Sequence, residues 1–110
     1  MPVFKKTYEL YKQFHLIRNK SEKQDRYTIY QKTENTILDL MEQILLAGQL
    51  PQNEKMSCLR GADIKNNLLR VFIRLMKDIK SIDLKTYVLI EESIDEIGRM
   101  LGGWIKSLSR

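Results

Sequence analysis

Arg70, Arg74 and Lys77 are three cations that helical geometry, at 100° per residue, gathers within roughly 60° of one another. Asn67 and Arg60 stand further round, and only Asp63 interrupts the set. A guanidinium donates two parallel hydrogen bonds, which suits carboxylate and phosphate partners. The cluster therefore reads as a binding face, set against the alternative of a solvated face with intrahelical pairs. Lys5, Lys6 and Lys12 form a second, looser group near the start of the chain. No residues assemble for covalent or metal chemistry. His15 is the only histidine and shares a stripe with Tyr8 and Tyr11, which reads as a satisfied histidine at the core edge. Cys58 has neither a second cysteine nor a nearby histidine, so zinc binding and thiol catalysis lack support. Glu91, Glu92, Asp95 and Glu96 make an acidic run without the Glu-x-x-His spacing of di-iron bundles. No glycine-rich phosphate loop is present, and neither an enzyme nor a cofactor is indicated.

The elements that carry these residues are helical. Two prolines in 110 residues leave long uninterrupted tracts, and a composition 43% apolar and 30% charged is that of one globular domain, residues 1–110. The spacing predicts helices over 3–19, 28–48, 54–80 and from Ser81 or Asp83 almost to the C-terminus. Phe4, Tyr8, Tyr11 and His15 stripe the first helix, with Leu10, Phe14 and Ile17 beside them. Residues 20–26 read as a loop. Thr28 and Gln31 match a capping box at the second helix. Tyr27 and Tyr30, near Arg26, could stack on bases, though tyrosine at a helix start is more often core. Ile37, Leu40, Met41, Ile44 and Leu45 lead to a stop at Gly48, and the turn at 49–53 follows from Pro51. Gly61 marks a weak point in the third helix. Four such helices with short links form an up-down-up-down antiparallel four-helix bundle.

The third helix is apolar over too wide an arc for one core. Ala62, Leu69, Ile73 and Met76 make one face, and Ile64, Leu68, Val71, Leu75 and Ile79 extend it to roughly 200°, against about 100° for a helix facing a single core. Part of that surface, Val71 and Leu75 included, is expected to meet another subunit. The fourth helix repeats Tyr87, Ile90, Ile94, Ile97, Leu101, Trp104 and Leu108 at alternating threes and fours. Gly98, Gly102 and Gly103 sit within that helix at a cost of about 1 kcal/mol each relative to alanine, and close approach by a neighbouring helix would repay them.

Charge is uneven. Residues 1–27 carry seven Lys/Arg against three acids and residues 54–81 seven against three, whereas 28–53 have one against three and 82–110 four against five. The balance of +5 suits solubility or an anionic partner. With no apolar run long enough to span a bilayer, no signal peptide and one cysteine, a cytoplasmic, reduced protein without a membrane partner is expected.

The run Ile94-Asp-Glu-Ile-Gly-Arg-Met-Leu-Gly-Gly-Trp-Ile-Lys-Ser107 resembles the end of the four-helix-bundle family that includes Avd, the accessory variability determinant of diversity-generating retroelements. Leu69-Arg-Val-Phe-Ile-Arg-Leu75, the opening segment 4–16 and Tyr27-Thr28 are similar as well. The same broad family contains proteins encoded in intervening sequences of 23S ribosomal RNA genes, which remain the alternative, with a nucleic-acid- or ribosome-associated role. The resemblance implies a non-enzymatic homopentameric barrel that binds a reverse transcriptase and RNA or DNA and supports mutagenic copying. By motif match it places Arg70 and Arg74 where the family's helix-three arginines contact the reverse transcriptase.

Overall fold

A computed structural model describes residues 1–21 and 27–109. Four helices follow in order: α1 (Pro2–Asn19), α2 (Ile29–Gln49), α3 (Gln52–Asp78) and α4 (Leu84–Leu108), with no strand among the described residues. The 27-residue α3 is about 40 Å long, so it must lie along the 45 Å axis of a molecule only 21 × 19 Å across. Each helix packs on its chain neighbours, and α1 also packs on α4, which closes a square with α1 and α3 on one diagonal. Short links between packed neighbours reverse the direction at each step, giving the expected antiparallel bundle.

Heptad spacing sets the core. Val3, Leu10 and Phe14 of α1, Ile37, Leu40 and Ile44 of α2, Leu59, Leu69 and Ile73 of α3, and Ile90, Ile94, Ile97 and Leu101 of α4 are all buried. Full burial of each such side chain stabilises by about 1.5–3 kcal/mol. Tyr30 is also buried, its ring 5.6 Å from that of Phe14 and its hydroxyl 2.6 Å from Ser81 Oγ in the α3–α4 link. Tyr27, three residues earlier, is exposed instead of joining the core.

The helix ends differ from the sequence expectation in instructive ways. Gly48 does not stop α2, which runs to Gln49 and ends because Pro51 follows. A Cβ at Gly48 would lie 2.5 Å from Met1 Cε, so this glycine makes room for the start of α1. The anticipated five-residue turn shrinks to Leu50 and Pro51, and α3 begins at Gln52 rather than Glu54. Thr28 occupies the N-cap of α2 without a side-chain cap bond. The capping box fails because the Gln31 amide oxygen accepts from Arg18 Nη2 at 2.9 Å. Lys55 Nζ donates to the Ala47 carbonyl at 2.6 Å and so serves the end of α2 from α3.

Gly61 does not interrupt α3. That helix closes at Asp78, two residues before the expected end, in a Schellman arrangement: Ser81 N donates to Met76 O at 2.8 Å and Lys80 N to Lys77 O at 3.0 Å. Lys80 takes the left-handed position with φ 62°. Of the two candidate caps for α4, Asp83 does the capping, its Oδ1 accepting from Thr86 N at 2.8 Å. That bond holds its carboxyl below the usual range. In the loop expected at 20–26, Lys20 caps α1 and Ser21 donates to Arg18 O. Residues 22–26, Arg26 with them, lie outside the described residues.

Candidate partner-binding surface

The basic residues of α3 do not form one outward-facing fork. Arg70 is only half-exposed and turns toward α4, its Nη2 2.9 Å from Asp95 Oδ1 and its Nε buried without a hydrogen-bond partner. Lys77 is half-buried with Nζ 4.6 Å above the Tyr87 ring, a cation–π contact with α4. Tyr87 in turn donates to Glu91, which pushes its phenol pKa up. Arg74 and Arg60 are exposed and form no ion pair among the described residues. The side chains of Arg70 and Arg74 therefore do different things, although they stand one turn apart. Helical spacing alone predicts a shared direction. The missing information was that the α3–α4 seam passes between them.

The open groove on that side, about 380 Å³, is lined by Asp63, Asn67, Arg70, Asp95, Gly98 and Arg99. Two carboxylates against two guanidiniums leave it near neutral. Further exposed cations lie outside it, Arg60 and Arg74 on α3 and Lys106 on α4, while Arg99 is exposed at its edge.

The α1 group sits elsewhere. Lys6 pairs with Glu96 of α4 at 2.9 Å. Lys12 lies 3.8 Å from Glu9 and 5.7 Å from the Tyr8 ring centroid, and Lys5 is exposed. Because α1 and α3 occupy opposite corners of the square, Lys5 and Lys12 cannot share one flat surface with Arg60 and Arg74. The acidic run on α4 is divided in the same way. Asp95 faces α3 and Glu96 faces α1, so no single acidic face results.

The three glycines of α4 also separate. A Cβ on Gly98 would meet Asn66 Nδ2 at 3.2 Å and Arg70 Nη2 at 3.6 Å. Asn66 is fully buried and donates through Nδ2 to the Ile94 carbonyl at 3.0 Å. Close approach at Gly98 is thus to a polar side chain of α3 rather than to its backbone. Gly102 and Gly103 face open space, contrary to the packing role expected of them. Trp104 packs against the core, with Lys55 Nζ 5.9 Å from its ring centroid. Val71 and Leu75 are exposed on the outer side of α3.

One polar centre escaped the sequence reading. Glu34, buried in α2, accepts from His15 Nδ1 at 2.6 Å and also from Arg18 and Tyr11 of α1. Burial pushes its pKa up, but these bonds and the Arg18 charge outweigh burial and hold it below the usual glutamate range. The same carboxylate, together with burial, raises the Tyr11 phenol. A glutamate inside an apolar heptad, at the position that should meet α1, was the available signal. Among the described residues no group of His, Cys, Asp and Glu could hold a metal ion, and Cys58 is a half-buried free thiol.

Against known families, the chain matches the model described as bAvd-like over residues 1–108. It belongs to the bAvd-like family. The resemblance carried by the α4 run and the α3 arginines is thereby extended to practically the whole bundle of this bAvd-like chain. None of the curated proteins compared with it matches. No helix among the described residues is long and apolar enough to cross a membrane.

Proposed function

We propose that this bAvd-like chain is a non-enzymatic accessory protein of a diversity-generating retroelement. It forms a homo-oligomer, by family resemblance a pentamer, that binds the element's reverse transcriptase and nucleic acid and holds them together during mutagenic copying. The family match over residues 1–108 carries this reading. It favours the retroelement branch over proteins encoded in ribosomal RNA intervening sequences. The exposed cations support it: Arg60, Arg74, Arg99 and Lys106 on the α3–α4 side, with Lys5 and Lys12 on α1. They include no groove-entering reading element, so contact with nucleic acid is electrostatic and tolerant of sequence, multiplied by each added subunit.

The decisive experiment co-expresses the chain with the reverse transcriptase encoded beside it and measures co-purification, then titrates template RNA at rising salt. A stable complex and an affinity that falls steeply with salt are expected. Failure to bind the polymerase, or RNA binding indifferent to salt, would overturn the reading. A gene located inside a 23S ribosomal RNA gene would favour the other branch.

A further inference from the structure

The two ring nitrogens of His15, the chain's only histidine, stand in opposite surroundings. Nδ1 lies 2.6 Å from Glu34 Oε1. The side chain is nonetheless 49% exposed, and Nε2 has no hydrogen-bond partner among the described residues.

Glu34 decides which nitrogen carries the proton. Burial opposes its ionisation, but hydrogen bonds from His15, Arg18 and Tyr11 outweigh burial and keep it a carboxylate at neutral pH. An ionised carboxylate can only accept, so in the neutral imidazole the hydrogen sits on Nδ1 and the lone pair on Nε2. Tyr11 holds the ring as well, stacked with its centroid 6.0 Å away and its plane tilted by 18°. A histidine oriented by a carboxylate, with its free nitrogen open to water, is an arrangement for nucleophilic attack.

The neighbours suit an anionic reactant. Arg18, one turn further along α1, is pinned by Glu34 and by Gln31 at 2.9 Å. Lys12, one turn before His15, is exposed and only loosely paired with Glu9 at 3.8 Å. Glu34 itself is buried on the Nδ1 side, away from the open nitrogen.

We propose, independently of the accessory-protein reading, that His15 Nε2 is an acceptor site for the phosphoryl group of a small acyl phosphate. The Nε2 lone pair attacks phosphorus and an N–P bond forms. The P–O bond to the acyl group breaks, and its electron pair leaves on the carboxylate product. The ring keeps its Nδ1 proton and becomes cationic, and the Glu34 carboxylate stabilises that charge. No glycine-rich loop stands ready to cradle a nucleotide's phosphates, so the donor is one whose own leaving group departs readily, as a carboxylate does.

Acetyl phosphate at neutral pH is the probe, with acid-labile phosphoryl groups on the protein followed by intact-mass spectrometry and phosphorus NMR. Nitrogen NMR reads the tautomer, and with one histidine the assignment is unambiguous. The folded wild type should show Nδ1–H and take one phosphoryl group on Nε2, about tenfold faster than the same chain unfolded in urea. His15→Gln should take none on a ring nitrogen. A carboxamide can accept or donate, so Glu34→Gln, still helical by circular dichroism, should show both tautomers, react more slowly and carry the group on either nitrogen. A lone pair on Nδ1, attachment to Nδ1 in the wild type, or labelling no faster than in the unfolded chain would refute the site. Wild-type rate and attachment in Glu34→Gln would refute the positioning role of Glu34. Should that variant unfold, the tautomer and the comparison of folded with unfolded wild type decide the matter alone.

Discussion

Glu34 of α2 accepts a hydrogen bond from His15 Nδ1 of α1 at 2.6 Å, with the Arg18 guanidinium on its other oxygen. The sequence places these groups 19 and 16 residues apart, and only the antiparallel packing of α1 on α2 brings them to one carboxylate.

That carboxylate should make stability acid-sensitive. Its pKa is lowered in the folded chain, so its stabilisation is fully present above the unfolded glutamate value of about 4.3. It is lost as pH falls through the lower folded value. Thermal melts from pH 7 to pH 3 should therefore hold steady and then drop below about pH 4.3, and Glu34→Gln should flatten the drop. Because His15 is half-exposed and Arg18 can reach water, the cost of Glu34→Gln at neutral pH should be about 1–3 kcal/mol. An unchanged acid limb in the variant would refute this role.

Lys80 holds the left-handed position of a Schellman motif, where glycine carries no Cβ penalty. Lys80→Gly should stabilise the chain by about 0.5–1 kcal/mol, with relief of the backbone partly offset by a more flexible unfolded state. Urea denaturation would show a higher midpoint at unchanged slope. A lower midpoint would mean that Lys80 makes a compensating contribution.

Gly98→Ala and Gly102→Ala should part company. A methyl at Gly102 meets open space and gains helix propensity, so that variant should be stabilised by about 1 kcal/mol. At Gly98 the methyl would press on Asn66 Nδ2, which its bond to Ile94 O keeps from yielding, and the propensity gain should be cancelled or reversed. Equal stabilities of the two variants would show that Asn66 moves freely.

Arg70→Ala and Arg74→Ala separate structure from recognition. Loss of the partly exposed Arg70–Asp95 pair should cost roughly 0.5 kcal/mol. Arg74→Ala should leave the melting curve in place and weaken polymerase or RNA binding, by about tenfold if the fork contributes 1.4 kcal/mol. Binding unaffected by Arg74→Ala would move the functional surface to Arg99 and Lys106, or to Lys5 and Lys12 of α1.

The fold was legible because every helix repeats its apolar residues in heptads. Leu59, Leu69, Ile73 and Met76, or Ile90, Ile94, Ile97 and Leu101, need no partner to be recognised as a seam. The site was less legible, for a physical reason. Whether Arg70 serves a partner or Asp95 depends on the rotation of α3 against α4, and a helix's own sequence does not contain that rotation. Glycines show the same limit. Gly48, Gly98 and Gly102 have identical chemistry, yet one receives Met1, one abuts Asn66 and one faces open space.

The two-residue link at Leu50 and Pro51 bears on the order in which the chain folds. It joins the helix pair with the most extensive contact, and Lys55 fastens that joint to Ala47. Closing so short a loop costs little entropy, so α2 and α3 should zip together early and α1 should dock late. Destabilising substitutions at Leu40 or Leu59 should then slow refolding in stopped-flow traces, whereas Leu10→Ala should mainly hasten unfolding. A polypeptide still emerging from the ribosome would accordingly hold its N-terminal helix unengaged until the hairpin behind it had formed.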